Sequence, residues 1–309
     1  MEIGIQSIGS YIPGKSIDNY KQAESFEKGK DFIDEKIGAM TLALKDEDQD
    51  TSDLAVQAVK KLLAKSSVDI TTIDAIGLVT QNPDGTGLPH TSAIVQDKLG
   101  CSNNTAAFDI SLGCSGYVYG LKIMSGFMEK AGLKKGLLIT SDPYSKIINR
   151  KDPNTSLLFG DASTATLLSC DYRYSIGKSM FSTKGVGAPY LINNNGELYM
   201  NGRQIFNFAA QEVPKQINAI LESEGLTIDD IDKFLLHQGS KYIVETLATK
   251  MKLDKSKVPL GIEDVGNTIS STIPLLLESI VDDCIENNLL LSGFGVGLSW
   301  GTVLINKSD

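Results

Sequence analysis

The chain is expected to fold as an α/β protein with a largely parallel sheet, built as two similar halves. Two observations predict this. Strand and helix signals alternate along nearly all of its 309 residues. Each half also carries a glycine turn followed by a helix of small and apolar residues, at Gly113-Cys114-Ser115-Gly116 and again at Gly266-Asn267-Thr268. The composition, 41% hydrophobic and 22% charged, is that of an ordinary globular chain able to bury a core without staples.

The elements follow in order. Ile3 to Gly9 is a short apolar strand, and Asp53 to Leu63 has helical periodicity, with Leu54, Val56, Val59, Leu62 and Leu63 on one side. Ala75 to Val79 is a buried strand. Pro89 opens a helix that runs through Ile94 to Leu99, since a first-turn proline gives up only an N–H that has no helical partner. Ala106 to Ile110 is a strand, Gly113 to Met128 a long buried helix, Gly136 to Thr140 a strand, Asp142 to Ser156 a polar loop and Ala162 to Leu168 a strand. A loop rich in Gly and Asn, Gly185 to Gly196, leads to a helix over Ile205 to Leu221. Then come the strand Phe234 to Leu236, helices at Lys241 to Lys250 and from Asn267 to about Cys284, and the strands Leu289 to Leu291 and Leu298 to Ile305 around a glycine-rich turn. The halves are expected to divide as residues 1–170 and 171–309, without a flexible linker.

Several classes are disfavoured at once. A net charge of −9 argues against a nucleic-acid partner. No apolar run approaches the roughly 20 residues needed to cross a bilayer, and the start lacks the basic and apolar regions of a signal peptide. The four cysteines are scattered with no CxxC and read as reduced thiols, so a cytoplasmic location is expected. With only two histidines, His90 and His237, no metal site is expected.

Three residues carry candidate chemistry. Cys114 follows a strand and a tight turn and precedes a helix, whose unpaired N–H groups and partial positive charge favour a thiolate. Cys170 and Cys284 lie in apolar elements and read as structural, as buried cysteines usually do; Cys101, at a helix end, reads as incidental. His237 ends an apolar strand, where open α/β sheets gather their ligands. Asn267 stands at an expected helix start, where capping is the ordinary role of asparagine.

Taken with Gly293-Phe294-Gly295-Val296-Gly297-Leu298-Ser299-Trp300-Gly301, Met200-Asn201-Gly202-Arg203-Gln204-Ile205-Phe206 and Leu158-Phe159-Gly160-Asp161-Ala162, these segments resemble, in the same order, motifs of the β-ketoacyl-acyl-carrier-protein synthase III family of the thiolase superfamily. The resemblance spans nearly the whole chain. It implies a duplicated thiolase-like fold in five layers, αβαβα, a homodimer and a catalytic triad of Cys114, His237 and Asn267. It implies a cysteine acylated from acyl-coenzyme A or an acyl-carrier thioester, then decarboxylative condensation with a malonyl-carrier thioester. No tightly bound cofactor is implied; acyl carrier protein is a transient partner. The backbone N–H groups of Cys114 and Val296 would form an oxyanion hole. Val296 stands where relatives often have glycine.

The binding surface departs from the family. Phe32 stands near a position where many relatives place a tryptophan, and Lys36 replaces an arginine. Asp152-Pro153-Asn154-Thr155 lacks the usual arginine, and Lys241 follows Gln238-Gly239-Ser240 in place of an arginine-bearing segment. Phe32, Lys36, Phe206 and Lys241 are therefore the expected substrate contacts, with Leu88 as a modest acyl-pocket wall reaching across the dimer. Lysines 28, 30, 36, 146 and 151 are a candidate phosphate-facing patch, weighed against ordinary solvated charge. These departures favour a specialised relative. The alternative chemistry on the same fold is acyl transfer to an alcohol or amine without decarboxylation. A papain-like protease shares the Cys, His, Asn order but lacks its local signature. A non-catalytic binding partner on the same fold is the remaining rival.

Overall fold

The computed structural model describes residues 1–308. Nine strands form the main sheet: β1 (Gly4–Tyr11), β2 (Ala75–Val79), β3 (Ala106–Ile110), β4 (Lys135–Ser141), β5 (Ser163–Ser169), β6 (Tyr174–Thr183), β7 (Lys233–Leu236), β8 (Asn288–Gly295) and β9 (Ser299–Lys307). Their spatial order is β7-β8-β9-β6-β1-β5-β4-β2-β3. The two arms repeat one plan. Outward from the centre, each runs from its first strand to its last, then its second-last, then its second. β1 and β6, the two innermost strands, meet antiparallel over only Gly4–Ser175 and Ile5–Tyr174.

The sheet is mixed, which corrects the expectation of a largely parallel one. Only β2–β3, β2–β4 and β7–β8 pair parallel. The rest are antiparallel because in each half the last strand turns back beside its predecessor, as β9 does after the turn at Val296–Leu298. Strand β6 was not anticipated. Its residues, Tyr174 to Thr183, include Gly177, two lysines and three serines, and only Tyr174 and Ile176 are fully buried, so neither an apolar run nor a clean alternation marks it.

Six helices complete the layers: α1 (Thr51–Ser66), α2 (Thr91–Leu99), α3 (Gly116–Ala131), α4 (Gly202–Ser223), α5 (Lys241–Met251) and α6 (Thr272–Asp283). α1 and α2 cover the outer face of the first arm; α4 covers that of the second, with α5 packed against it. α3 and α6 lie between, each touching strands of both arms. This is a duplicated five-layer αβαβα arrangement. Small residues let α3 sit tightly: a Cβ on Gly116 would lie 2.3 Å from a Val79 methyl, and one on Gly120 would lie 2.8 Å from a Leu138 methyl.

Boundaries moved in places. Pro89 and His90 precede α2 rather than opening it. The expected loop at 185–196 holds a 3-10 turn and the first strand of a hairpin, Leu191–Asn194 with Glu197–Met200. A second hairpin, Lys15–Asp18 with Thr41–Leu44, brackets a short helix, Asn19–Glu24, and a one-turn π-helix, Ile33–Ile37. No helix among the described residues is long and apolar enough to cross a membrane.

One strip stitches the halves together near the centre. Asn267 pairs with Phe159, its N–H donating to the Leu158 carbonyl at 2.9 Å and its own carbonyl accepting from Gly160 at 3.1 Å. A Cβ on Gly160 would fall 1.8 Å from the Val265 carbonyl oxygen, and backbone on both sides cannot retreat. Gly160→Ala is therefore expected to destabilise the protein by about 1–3 kcal/mol, as overpacking does, measured by urea unfolding.

Candidate active site

The first half delivers a thiol. After β3 the chain turns through Leu112 and Gly113, with the Gly116 N–H donating to the Gly113 carbonyl at 2.7 Å. Cys114 lies in this turn, two residues ahead of α3, and is 4% exposed. The space above its sulfur is made by the other half, because a Cβ on Gly295 would lie only 2.8 Å from Sγ. The N–H groups of Val296 and of Cys114 itself point at the sulfur and favour its charged form.

The second half delivers an imidazole and an amide. His237 extends β7, and its N–H donates to the Ser292 carbonyl of β8 at 2.9 Å. The ring packs edge-on against Phe294, with centroids 5.4 Å apart, and Nδ1 lies 2.8 Å from Thr272 Oγ1. Asn267 Oδ1 accepts the Ile269 N–H at 2.9 Å, which fixes which end of the amide is oxygen. Its Nδ2 has only the Gly239 carbonyl, at 3.4 Å. Asn267 was expected at a helix start. It stands five residues ahead of α6, with a 3-10 turn at Ile269–Ser271 between them. Ile269 takes a φ of +54°, a left-handed conformation rare for a β-branched residue.

Cys114, His237 and Asn267 all line one cavity of about 490 Å³. Its inner walls are largely apolar, with Leu158, Phe159, Leu191, Ile205 and Phe294 among them. Phe32, Lys36 and Phe206 line it as well, joined by Tyr242 and Arg203. Lys36 Nζ sits 3.9 Å over the Tyr242 ring, and Phe206 stacks on the same tyrosine at 5.2 Å.

Other expected residues fall elsewhere. Lys241 does not line the cavity: its ammonium donates to the Asp34 carbonyl at 3.0 Å, tying α5 to the π-helical turn. The lysine patch does not assemble. Lys146 is held by Asp50 and the Pro83 carbonyl, Lys28 and Lys30 sit over the rings of Phe32 and Tyr20, and only Lys36 lines the cavity. Leu88 is 90% exposed and projects from the loop before α2, outside the cavity. Among the described residues no cluster suited to a metal ion occurs.

The thiolate expected from the helix start is overturned. Burial pushes the Cys114 thiol up to about 12, and the nearby Asp142 carboxylate adds to the rise. Burial also lowers His237 to about 3, so the imidazole is neutral. Asp142 is itself buried, which raises it to about 7, against hydrogen bonds from the Gln81 N–H and the Asn82 amide. The resting site is thus a neutral thiol beside a neutral imidazole. Asp142, Thr272, Tyr242 and Gly295 were not singled out from sequence. Of these, only Gly295 sat in a motif that could have marked it.

Known proteins agree with this architecture. Residues 108–185 match the family described as 3-oxoacyl-[acyl-carrier-protein (ACP)] synthase III, and residues 221–307 match its C-terminal part. The chain is 31% identical to the beta-ketoacyl-[acyl-carrier-protein] synthase III of Streptococcus pneumoniae (strain Hungary19A-6), an alignment covering 97% of this chain and 98% of that protein. A 2.1 Å crystal structure of a 3-oxoacyl-(acyl-carrier-protein) synthase III superposes with a TM-score of 0.92 at 32% identity, over 99% of this chain and 100% of the other. The 3-oxoacyl-(acyl-carrier protein) synthase of Burkholderia xenovorans LB400 does so at 0.91 and 31%, over 100% and 95%.

Two substitutions probe the thiol. Gly295→Ala places a methyl against Sγ and is expected to block alkylation of Cys114 by iodoacetamide, read by peptide mass mapping. Asp142→Asn removes a charge that holds the thiol protonated. It is expected to speed alkylation above about pH 7, where Asp142 is ionised, and to change nothing below that pH, where Asp142 is already neutral.

Proposed function

This chain belongs to the 3-oxoacyl-[acyl-carrier-protein] synthase III family, and on that premise we propose that Cys114 carries an acyl group which a malonyl-carrier carbanion then attacks. The protein is a condensing transferase, and the family's reaction is a Claisen condensation. The single observation supporting the finer reading is the meeting of Cys114, His237 and Asn267 in one largely apolar cavity, each from a different loop.

The first half-reaction exchanges thioesters. The Cys114 sulfur attacks the donor carbonyl, the donor carbon–sulfur bond breaks, and the thiol proton goes to the departing sulfur. A thiol held near pKa 12 makes a direct thiolate attack slow at neutral pH. The neutral His237 supplies the base that relieves this. The N–H groups of Val296 and Cys114 suit the oxyanion that forms on the acyl carbonyl. In the second half-reaction the malonyl carbon–carboxylate bond breaks to release carbon dioxide, leaving an enolate. That carbon attacks the Cys114 thioester, a carbon–carbon bond forms, and Cys114 leaves as a thiolate that takes one proton. His237 and the Nδ2 of Asn267, both neutral donors, suit the enolate oxygen. No tightly bound cofactor enters this scheme.

Lys36 and Arg203 give the cavity positive charge on an otherwise acidic protein, which suits the phosphates of coenzyme A or of a carrier-bound phosphopantetheine. Acyl carrier protein is the transient partner in this reading. A homodimer fits the exposed apolar face beside edge strand β3, where Phe127 and Ile123 are well exposed and Leu88 projects freely. The division at 170/171 is read as the joint of the duplication, between β5 and β6.

Intact-mass spectrometry after incubation with a panel of acyl thioesters is expected to show an acyl adduct that Cys114→Ala abolishes. No adduct from any thioester on a folded protein overturns the reading. Carbon dioxide release from malonyl thioesters separates condensation from transfer to an alcohol or amine, which releases none. Lys36→Glu and Arg203→Glu are each expected to raise KM for the carrier-linked thioester by about 10-fold with kcat little changed, an effect that salt weakens.

A further inference from the structure

His237 is asked for two incompatible services in this reaction. In acylation its free ring nitrogen, Nε2, must accept a proton. In decarboxylation the same nitrogen must carry a proton and donate it toward the enolate oxygen. A neutral imidazole has one N–H, so the services require opposite tautomers, and the partner of the other nitrogen decides between them.

That partner is Thr272, in the first turn of α6. Its Oγ1 lies 2.8 Å from His237 Nδ1 and donates to the Ile269 carbonyl at 3.2 Å. Thr272, Ile269 and His237 are all buried, so water does not substitute for these contacts. With the hydroxyl proton on the Ile269 carbonyl, an oxygen lone pair is left to accept Nδ1–H, and Nε2 is bare. Rotated about its Cβ–Oγ1 bond, the same hydroxyl donates to Nδ1 and the ring proton belongs on Nε2. A carboxylate in this place accepts only and fixes Nδ1–H, and in a Ser-His-Asp triad presenting the wrong tautomer costs about 10⁴-fold.

We propose that Thr272 is a positioning residue whose hydroxyl supports His237 in both neutral tautomers, the bare Nε2 serving acylation and the protonated Nε2 serving decarboxylation. The inference rests on the roles of Cys114 and His237 given above. The resting arrangement is the Nδ1–H form, ready to take the thiol proton and return it to the departing sulfur. A thioester carbonyl bound against Nε2 then favours the other form. The ring exchanges its proton with solvent between the two half-reactions, so no proton is created or lost on His237. Burial helps by keeping the ring from becoming an imidazolium, which would leave no base for the first step.

The test uses the full-length enzyme with ¹⁵N-labelled histidine. Only two histidines are present, and His90→Gln assigns the spectrum. The free-thiol enzyme is expected to show Nδ1 protonated and Nε2 bare. The butyryl-enzyme saturated with acetyl-coenzyme A, which has no carboxylate to lose, is expected to show Nε2 protonated. Thr272→Val is expected to slow both acyl-enzyme formation and carbon dioxide release by about 10-fold or more, and Thr272→Ser to restore both to within about 3-fold. One tautomer in both states overturns the proposal, as does a valine variant that slows one half-reaction alone or neither. If the unaltered enzyme accepts no acyl group, the proposed function falls and Thr272's role with it. Normal acylation with an unchanged ring removes only the latter.

Discussion

The short parallel pairing of Asn267 with Phe159 is the contact on which the site depends. Two hydrogen bonds hold it, to Leu158 and from Gly160, and the missing side chain at Gly160 lets the two backbones approach. Without that approach the segment from Val265 to Thr272 has nothing to fix its height above the first half. Asn267 would lose its place in the cavity and Thr272 its place beside His237. The thiol comes from the first half and its partners from the second, so the stitch between halves is also the assembly of the site.

Burial has a chemical consequence that reaches further than packing. A cysteine at a helix start would ordinarily be expected to ionise easily. Here the sulfur is enclosed by Gly295, the turn at Val296 and the apolar wall around Phe294, and desolvation outweighs the N–H groups aimed at it. The same enclosure keeps His237 neutral. A charged pair would be a stronger nucleophile at rest, but its imidazolium could not act as a base. Two neutral groups in a dry site can exchange a proton during the reaction and still present fixed donors to a developing oxyanion. What the site loses in resting reactivity it recovers in preorganisation.

Much of this was legible in sequence, for reasons that can be named. Turns announce themselves through glycine, so the loops holding Cys114, Asn267 and Val296 were visible, and the strand ending at His237 was marked by a compact apolar run. Strand β6 was invisible because its faces are only partly buried and its residues carry no period. The ionisation of Cys114 could not be read, since burial is a property of the assembled halves and no local window reports it. Lys241 illustrates the limit for charged side chains. Its neighbour Tyr242 lines the cavity, but a one-residue step on a helix turns the lysine toward Asp34 instead. Thr272 was missed because its meaning depends on His237, thirty-five residues away in sequence.

Ile269 shows how local strain is put to use. A β-branched residue in the left-handed region costs about 1–3 kcal/mol and persists only where its surroundings insist on it. Both of its backbone polar groups are engaged in the site. The N–H orients the Asn267 amide, and the carbonyl takes the Thr272 hydroxyl. An ordinary helical conformation at this residue would extend α6 upstream and turn that N–H into the helix, away from the amide. The Asn267 side chain would then be free to flip its oxygen toward the substrate, where an enolate needs a donor. The unfavourable torsion therefore stabilises one orientation of the amide and one environment for the imidazole together, coupling the two donors that must face the same oxygen.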